Sequence, residues 1–374
     1  MKENSVEKSR QPRILLVVNC GSATLKYQSY ELTPDGPTPT VGGVVETERE
    51  FAEGVRQVLR SLPRPPDAIA HRVVHGGKWF TGSVLIDDEA LGHLRELAPL
   101  DPLHNGPALA GIEATLPLGV PMVAAFDTTF HRTLPERAWR YAIPAELEVR
   151  RFGFHGWSHQ SVTRRYAELT GSTEPTIITL HLGGGCSAAA IERGRSVDTS
   201  MGYSPLEGLV MGTRPGDLDP GVLIHLLQEG MSLDRIVRLL NRGSGLVALA
   251  GTADMRELLR RTDHEAELAI DLFCYRIRKY VGAYLAVLEG AEAIVFTGGI
   301  GENSPEIRRR VCERLGWAGL TLDPHRNAAG EERISADGSR LAAFAIRTNE
   351  EQLIAEEAAR LLRARFAEQP TPTS

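Results

Sequence analysis

The 374-residue chain is poor in cysteine, in runs of like charge and in long apolar segments. Its four cysteines, Cys20, Cys186, Cys274 and Cys312, lie far apart and form no CxxC pair. That spacing argues against a disulfide framework and a structural zinc site, and it fits a reducing compartment. There is no long basic run and the formal net charge is −6, so sequence-independent binding to nucleic acid or to an anionic membrane is not expected. The first apolar run, Ile14 to Val18, is short; a secretory segment needs about 7–15 such residues and a membrane span about 18 or more. The chain is therefore expected to be soluble and cytoplasmic. No GxxxxGK[ST] motif occurs, which excludes a P-loop protein.

What the chain does have is glycine, 37 residues of it, in clusters. Short β-branched runs end abruptly in these clusters: RILLVV before NCGSATLKY, AIAHRVV before HGGKWFTG, TIITLHL before GGGCSAAAI and AIVF before TGGIGENSPE. Each reads as a buried strand feeding a turn. Helical patterns lie between them at Phe51–Leu62, Ser158–Leu169 and Asp263–Glu289, and a last helix is expected from about Glu350 to Phe366. The long apolar pattern of Asp263–Glu289 suits a helix buried at a domain or subunit interface. The tail EQPTPTS is expected to be disordered. Alternating strands and helices over this length predict an α/β architecture of about two domains. VVNCGSATL and LHLGGGCSA are both strand–turn–strand candidates, which hints that the two domains are related.

Glycine turns after strands let a ligand approach the backbone and aim N–H groups at anions. Gly183-Gly184-Gly185 with Ala188 satisfies GxGxxA, and Asp198 follows. A dinucleotide loop must open a helix, however, and Glu192–Arg195 looks like a hairpin turn only a few residues on. GGIGENSPE is different. It is expected to lead from the Ile294–Phe296 strand directly into a helix capped at Ser304-Pro305-Glu306, with proline at the first position, and a helix N-terminus suits phosphate.

Arg72, Asp127, His155 and Arg214 all fall in turns bracketed by glycine or at strand ends. Singly each has a plain structural reading as an ion pair, a cap or a hydrogen-bonded turn residue. Together, two guanidinium groups, a carboxylate and an imidazole are what an anion-handling cleft requires. Asn19 and the TNEE segment, Thr348–Glu351, offer oxygen ligands for a hard cation. TNEE also fits a helix start with Thr348 as cap.

With these motifs assembled, the chain resembles the acetate kinase family, within the superfamily of acetate and sugar kinases, actin and chaperone ATPases. The resemblance rests on NCGSATLKY, HRVVHGG, APLDPLHN, FDTTFH, FGFHGWSH, HLGGGCS, SVDTSMGYSPLEGLVMGTRPGDLDP, SGL followed by GTADMREL, FTGGIGENSPEIR and TNEE, which occur in family order across residues 17 to 352. It implies two actin-like ATPase (ribonuclease H-like) domains flanking a nucleotide cleft, roughly 1–131 with the last helix 355–374, and 132–354. It also implies reversible transfer of the ATP γ-phosphoryl to acetate, giving acetyl phosphate and ADP, in a homodimer.

By the same resemblance Arg72 and Arg214 bind the carboxylate and the moving phosphoryl group, Asp127 is the catalytic carboxylate and His155 stabilises the transition state. Asn19 and Glu350 match magnesium-linked positions, with Mn²⁺ as a substitute metal, and Lys26 matches an ATP-contacting lysine. The nucleotide segments are His181, Leu182, Gly183, Gly184 and Gly185, then Asp254, Met255 and Arg256, then Gly299, Ile300, Gly301, Glu302 and Asn303. Val74, Leu103, Phe154 and Pro205 match the apolar pocket for the methyl group, with His104 beside it. A carboxylate substrate is already ionised at neutral pH, so Asp127 is expected to orient or to link to magnesium, and not to accept a proton.

Two departures bear on substrate and on chain length. Gly184 stands where acetate kinases usually carry asparagine, and the related butyrate kinases have a glycine triplet there. The stretch between Asp127 and His155 is also shortened. A propionate or butyrate kinase is the nearest alternative, and a non-kinase actin-like nucleotide switch is the alternative of a different class.

Overall fold

The computed structural model describes residues 12–21, 24–47, 50–100 and 105–367. The described residues divide into two compact units, one running to Thr129 and resuming at Asn349, the other spanning Phe130–Thr348. The candidate residues Leu103 and His104, and the EQPTPTS tail, lie outside the described residues.

The first unit is built on a six-stranded sheet. Its strands are β1 (Ile14–Cys20), β2 (Thr24–Thr33), β3 (Gly36–Glu46), β4 (Ala68–Val73), β5 (Val84–Leu85) and β6 (Met122–Phe126). They lie in the order β3-β2-β1-β4-β6-β5. β1, β2 and β3 pair antiparallel, whereas β4 and β6 run parallel to β1. The apolar runs of β1, β4 and β6 are almost wholly buried, as expected of strands covered on both faces. Leu16, Val18 and Ile69 share a core with Phe51, Val55 and Val58 of the helix Phe51–Ser61. Each such apolar side chain contributes about 1.5–3 kcal/mol on full burial. The helix Glu350–Ala367 packs on the same sheet through Ile354, Ala355, Ala358 and Leu362.

The second unit repeats the plan. β7 (Ile177–Leu182), β8 (Cys186–Glu192) and β9 (Arg195–Thr199) form an antiparallel meander, and β10 (Ala293–Thr297) and β11 (Ala342–Ala345) continue parallel to β7. The order β9-β8-β7-β10-β11 matches β3-β2-β1-β4-β6. The Gly21 turn and the Gly183–Gly185 turn therefore close the first hairpin of each sheet. The β8–β9 turn is a tight two-residue hairpin with Arg193 and Gly194 at φ 49° and 75°, the left-handed geometry that matches strand twist. GGGCSA is thus a strand–turn–strand and opens no helix.

Several local expectations are corrected. Asn349, and not Thr348, caps the last helix, accepting from the Gln352 N–H at 3.3 Å. GGIGENSPE does not feed one helix directly: Gly298–Asn303 is a separate short helix, after which Ser304 caps Pro305–Cys312 by accepting from Ile307 N. Gly298 is required where the chain leaves β10, because its φ is +75° and a Cβ there would lie 2.7 Å from the Leu182 carbonyl oxygen. The long helix spans His264–Val287 with Asp263 as its cap. Its buried stripe, including Ile270, Phe273, Ile277 and Val281, packs inside its own unit. All four cysteines are free and buried.

Candidate active site

In the first unit three parallel strands end side by side, and each delivers one polar side chain. Asn19 is at the end of β1, Arg72 is the penultimate residue of β4, and Asp127 follows β6 at the start of a short 3-10 turn. In open α/β sheets ligands bind outside the carboxyl ends of the strands. Arg72 donates from Nε to Asp127 Oδ1 at 2.7 Å and from Nη2 to Oδ2 at 2.5 Å, a bidentate clamp, and from Nη1 to Asn19 Oδ1 at 3.1 Å. Asp127 is fully buried. The first turn of the last helix brings Glu350 Oε2 to 3.7 Å from Arg72 Nη2.

This cluster holds more acid than base. Burial lifts the Glu350 carboxyl to about 7; Arg72 and Lys26 oppose the rise, whereas Asp127 and Glu351 add to it. Burial alone would weaken the Arg72 base, but Asp127 and Glu350 raise it above its ordinary value, so the guanidinium stays charged. The His75-Gly76 turn beyond β4 is pinned by Asn105, which accepts from His75 N at 2.9 Å and donates to its carbonyl at 3.0 Å.

In the second unit a different set converges at the ends of β7 and β10. His155 sits in the left-handed region, φ 56°, as the cap of the helix Gly156–Thr170. Its ring stacks on His181 at 4.2 Å between centroids. At Gly185 an added Cβ would lie 3.3 Å from His155 Nε2 and 2.6 Å from Arg214 Nη2. The Gly185 backbone, the His155 imidazole and the Arg214 guanidinium are therefore in close approach, which only a residue without a Cβ allows. Gly183 faces the Gly299 N–H and His181 Nε2 within 4 Å by the same measure. Burial pushes the Cys186 thiol beside this turn up to about 12, which disfavours its thiolate form.

Arg214 lies on a loop that the unit holds firmly. Its Nη1 donates to the Pro205 carbonyl at 2.8 Å. Glu207 on the same loop accepts from Arg151 and from the Tyr141 hydroxyl, and Asp217 accepts from Gly208 N and the Tyr280 hydroxyl. Arg151 also donates to the carbonyls of Thr199, Ser200 and Met201. Glu207 and Asp217 lie within SPLEGLVMGTRPGD, where no sequence signal marks them as anchors.

The other candidate residues have these surroundings. Lys26 pairs across the ladder from Asn19. Val74 follows β4 in the first unit, whereas Phe154, buried, and Pro205 belong to the second. Asp254 caps the short helix that opens with Met255, and it holds Arg256 in a bidentate pair at 2.7 and 3.0 Å. The Glu302 carboxylate is used locally, since Oε1 accepts from the Thr297 hydroxyl, Gly298 N and Thr348 N. Asn303 donates back to the Gly299 carbonyl. The side chains of 302–303 therefore shape the turn, and Gly299, Ile300 and Gly301 supply backbone.

Gly185→Ala is expected to separate activity from stability. The clashing atom is the tip of a long arginine side chain, which can swing away at little cost. We expect kcat/KM to fall by about 100-fold, because a displacement near 1 Å suffices for that, with Tm almost unchanged. Full activity in kinetic assays of the purified variant would show that Arg214 is not needed at this position.

Two sheets of the same ribonuclease H-like order, with arginines, an acid, an imidazole and glycine turns at their strand ends, define an actin-like fold equipped for phosphoryl transfer. Residues 52–356 match the acetokinase family. The chain is 44% identical to an acetate kinase of Symbiobacterium thermophilum, over 94% of this chain and all of that one. Among solved structures it is similar to a propionate kinase of Francisella tularensis subsp. tularensis SCHU S4, with TM-score 0.85 and 36% identity over 92% of this chain and 98% of that one. It is also similar to an acetate kinase of Porphyromonas gingivalis, with TM-score 0.81 and 36% identity over 93% and 99%. The chain belongs to the acetokinase family and is a kinase that passes phosphate to a carboxylate. The alternative of a non-kinase nucleotide switch is not retained.

Proposed function

We propose that the chain transfers the γ-phosphoryl of ATP reversibly to acetate, giving acetyl phosphate and ADP. The observation that carries this reading is the Arg72 clamp. A charged guanidinium is fixed by Asp127 and Asn19 at the ends of three parallel strands, where a carboxylate and a phosphoryl oxygen can share it. In the second unit Arg214 and His155 supply positive and N–H-bearing groups beside a glycine turn, suited to charge spread over equatorial phosphoryl oxygens. His181–Gly185, Asp254–Arg256 and Gly299–Asn303 are assigned to the nucleotide, and Val74, Phe154 and Pro205 to the methyl group. Asp127 orients Arg72; both its oxygens are already engaged. One methylene is worth only about 1–3 kcal/mol in an apolar pocket, so propionate is the nearest second substrate.

The donor set at this cluster suits Mg²⁺. It consists of an amide oxygen and buried carboxylates, and Asn19 Oδ1 keeps a second lone pair beyond its bond to Arg72. No group of three or more His, Cys, Asp or Glu side chains among the described residues could cage a metal, which accords with an ion that takes one or two protein ligands and completes its shell with water and phosphate. Asn19 and Glu350 would hold it. When bound, the ion neutralises charge on the β- and γ-phosphates.

Glu350 then carries a cost in the ligand-free enzyme. Its carboxyl is protonated below about 7, whereas the unfolded chain loses that proton near 4.5. Between these values the folded state binds more protons, so stability falls as pH rises through this window. Ligand-free Glu350→Gln is expected to melt a few degrees above the parent at pH 8 and level with it at pH 5. Scanning calorimetry in EDTA checks this, and an equal difference at both pH values would contradict it. The same variant should lose most Mg²⁺-dependent turnover.

No helix among the described residues is long and apolar enough to cross a membrane, and we place the enzyme in the cytoplasm. A homodimer is the assembly we propose. Ile224, Leu227, Leu233 and Val237 are exposed, and the helix Pro220–Gln228 buries none of its residues, so this face supports the reading better than the long helix does. Sedimentation at twice the monomer mass is expected. The activity itself is tested by ADP release: acetate should raise it about 100-fold or more over ATP alone, and an acetate-independent rate would overturn the reading.

A further inference from the structure

Behind His155 lies a row of buried side chains that the proposed reaction does not use. Ser187 Oγ, on β8, is 2.9 Å from His155 Nδ1 and 2.8 Å from His159 Nε2. His159, one helical turn beyond His155, places its Nδ1 2.7 Å from Thr179 Oγ1 on β7. Thr179, Ser187 and His159 are all fully buried. We infer that Thr179, His159 and Ser187 form a directed hydrogen-bond relay that fixes the tautomer of His155, keeping the proton on Nε2, the nitrogen on the side of Gly185 and Arg214.

The direction follows from counting protons. A hydroxyl has one proton to donate, and a neutral imidazole has one N–H and one acceptor nitrogen. Among the described residues the one hydrogen-bond partner of Thr179 Oγ1 is His159 Nδ1, so a buried Thr179 proton is satisfied by donation to that nitrogen. His159 must then carry its proton on Nε2 and donate to Ser187 Oγ. Ser187, having accepted from His159, is free to donate to His155 Nδ1. His155 thus receives at Nδ1 and bears its proton on Nε2, the nitrogen that faces Gly185. The reverse order leaves the Thr179 proton with no acceptor, at a cost of about 1–3 kcal/mol. The reverse order with a neutral His155 would also present an Nε2 lone pair to an anion.

Two further features support a fixed ring. Burial, with His131 and His181 nearby, holds His159 well below its ordinary basicity and hence neutral. The stacked His181 ring restricts rotation of His155, and His181 Nδ1 is itself 2.7 Å from the Ser158 hydroxyl. Thr179, His159 and Ser187 are positioning residues, since they act through His155. The inference rests on the phosphoryl-transfer reading only for its kinetic consequence; the tautomer is a property of the free enzyme.

The test uses ¹⁵N-histidine-labelled full-length protein. Long-range ¹H–¹⁵N correlation spectra, with His155 assigned from a His155→Gln sample, report which ring nitrogen carries the proton. The expected result is a single Nε2–H tautomer for His155 in the parent and in Thr179→Ser, and a mixed or Nδ1–H signal in Thr179→Val. A parent spectrum showing Nδ1–H overturns the relay, whether or not the protein phosphorylates acetate. In parallel, Thr179→Val, a buried isosteric change, should lower kcat about 10-fold while KM for ATP and acetate stays within about twofold. Thr179→Ser should restore most of that loss. A folded Thr179→Val with the parental kcat and spectrum overturns the inference. Absence of kinase activity in the parent, with the Nε2–H spectrum intact, sinks the functional reading and leaves the relay standing.

Discussion

Asp127→Asn is expected to lower kcat about 100-fold or more and to destabilise the first unit at the same time. The aspartate receives both Arg72 Nε and Nη2, and it is fully buried. Asparagine keeps the shape but presents only one acceptor oxygen, so the guanidinium loses its two-point clamp and can tilt. A misplacement of about 1 Å is enough for a 100-fold loss. Removing one partner of a buried ion pair costs about 3–5 kcal/mol. Glu350 softens that cost, because without the Asp127 charge its carboxyl ionises more readily beside Arg72. The net change in stability is therefore expected at or below the lower end of that range. Thermal unfolding and kcat on the purified variant check both points, and a Mg²⁺ titration accompanies them. Near-parental kcat with unchanged Mg²⁺ dependence would show that Asp127 does not orient the reacting groups.

Arg214→Lys should give the opposite profile, a large kinetic loss with almost no loss of stability. Arg214 is committed through Nη1 to the Pro205 carbonyl and turns Nη2 toward Gly185. A lysine ammonium reaches one of these positions and not both, and it lacks the planar fork that matches carboxylate or phosphoryl oxygens. Loss of one preorganised donor costs about 100- to 1000-fold in kcat. The loop itself is held by Arg151, Tyr141, Glu207 and Asp217, so Tm should shift by no more than a degree or two. Steady-state kinetics with a melting curve on the same preparation decide the matter. An active Arg214→Lys enzyme would place the transition-state contact elsewhere.

The two variants test residue sets, one in each unit, that were legible in the sequence to different depths. Arg72 and Asp127 stood out because each comes at the end of a short apolar run, the pattern of a buried strand end in an α/β sheet. The Gly183–Gly185 turn was legible for the same reason. β3 was not. Pro37, Pro39, Gly42 and Gly43 discourage a strand assignment, yet β3 lies at the sheet edge, where a missing ladder donor is tolerated. Ser187, His159 and Thr179 passed as ordinary strand and helix residues, since their meaning arises only when β7, β8 and the helix after His155 are packed together. The spacing in HGWSH, one helical turn between its histidines, was the single available signal. Asn349 displaced Thr348 as a cap for a similar reason, because two adjacent capping residues cannot be ranked without knowing where the helix begins.

The family relation narrows the chemistry to a carboxylate acceptor, and the acid that fits best is settled by product formation. The most direct measurement is acyl-hydroxamate formation by the purified protein with Mg-ATP and hydroxylamine, run in parallel with acetate, propionate and butyrate. The expected result is product with acetate best or equal best, with propionate close behind and Gly184 tolerated in the Gly183–Gly185 turn. Butyrate as the best acceptor, or no product from any acid while ATP binds, would contradict the acetate kinase assignment.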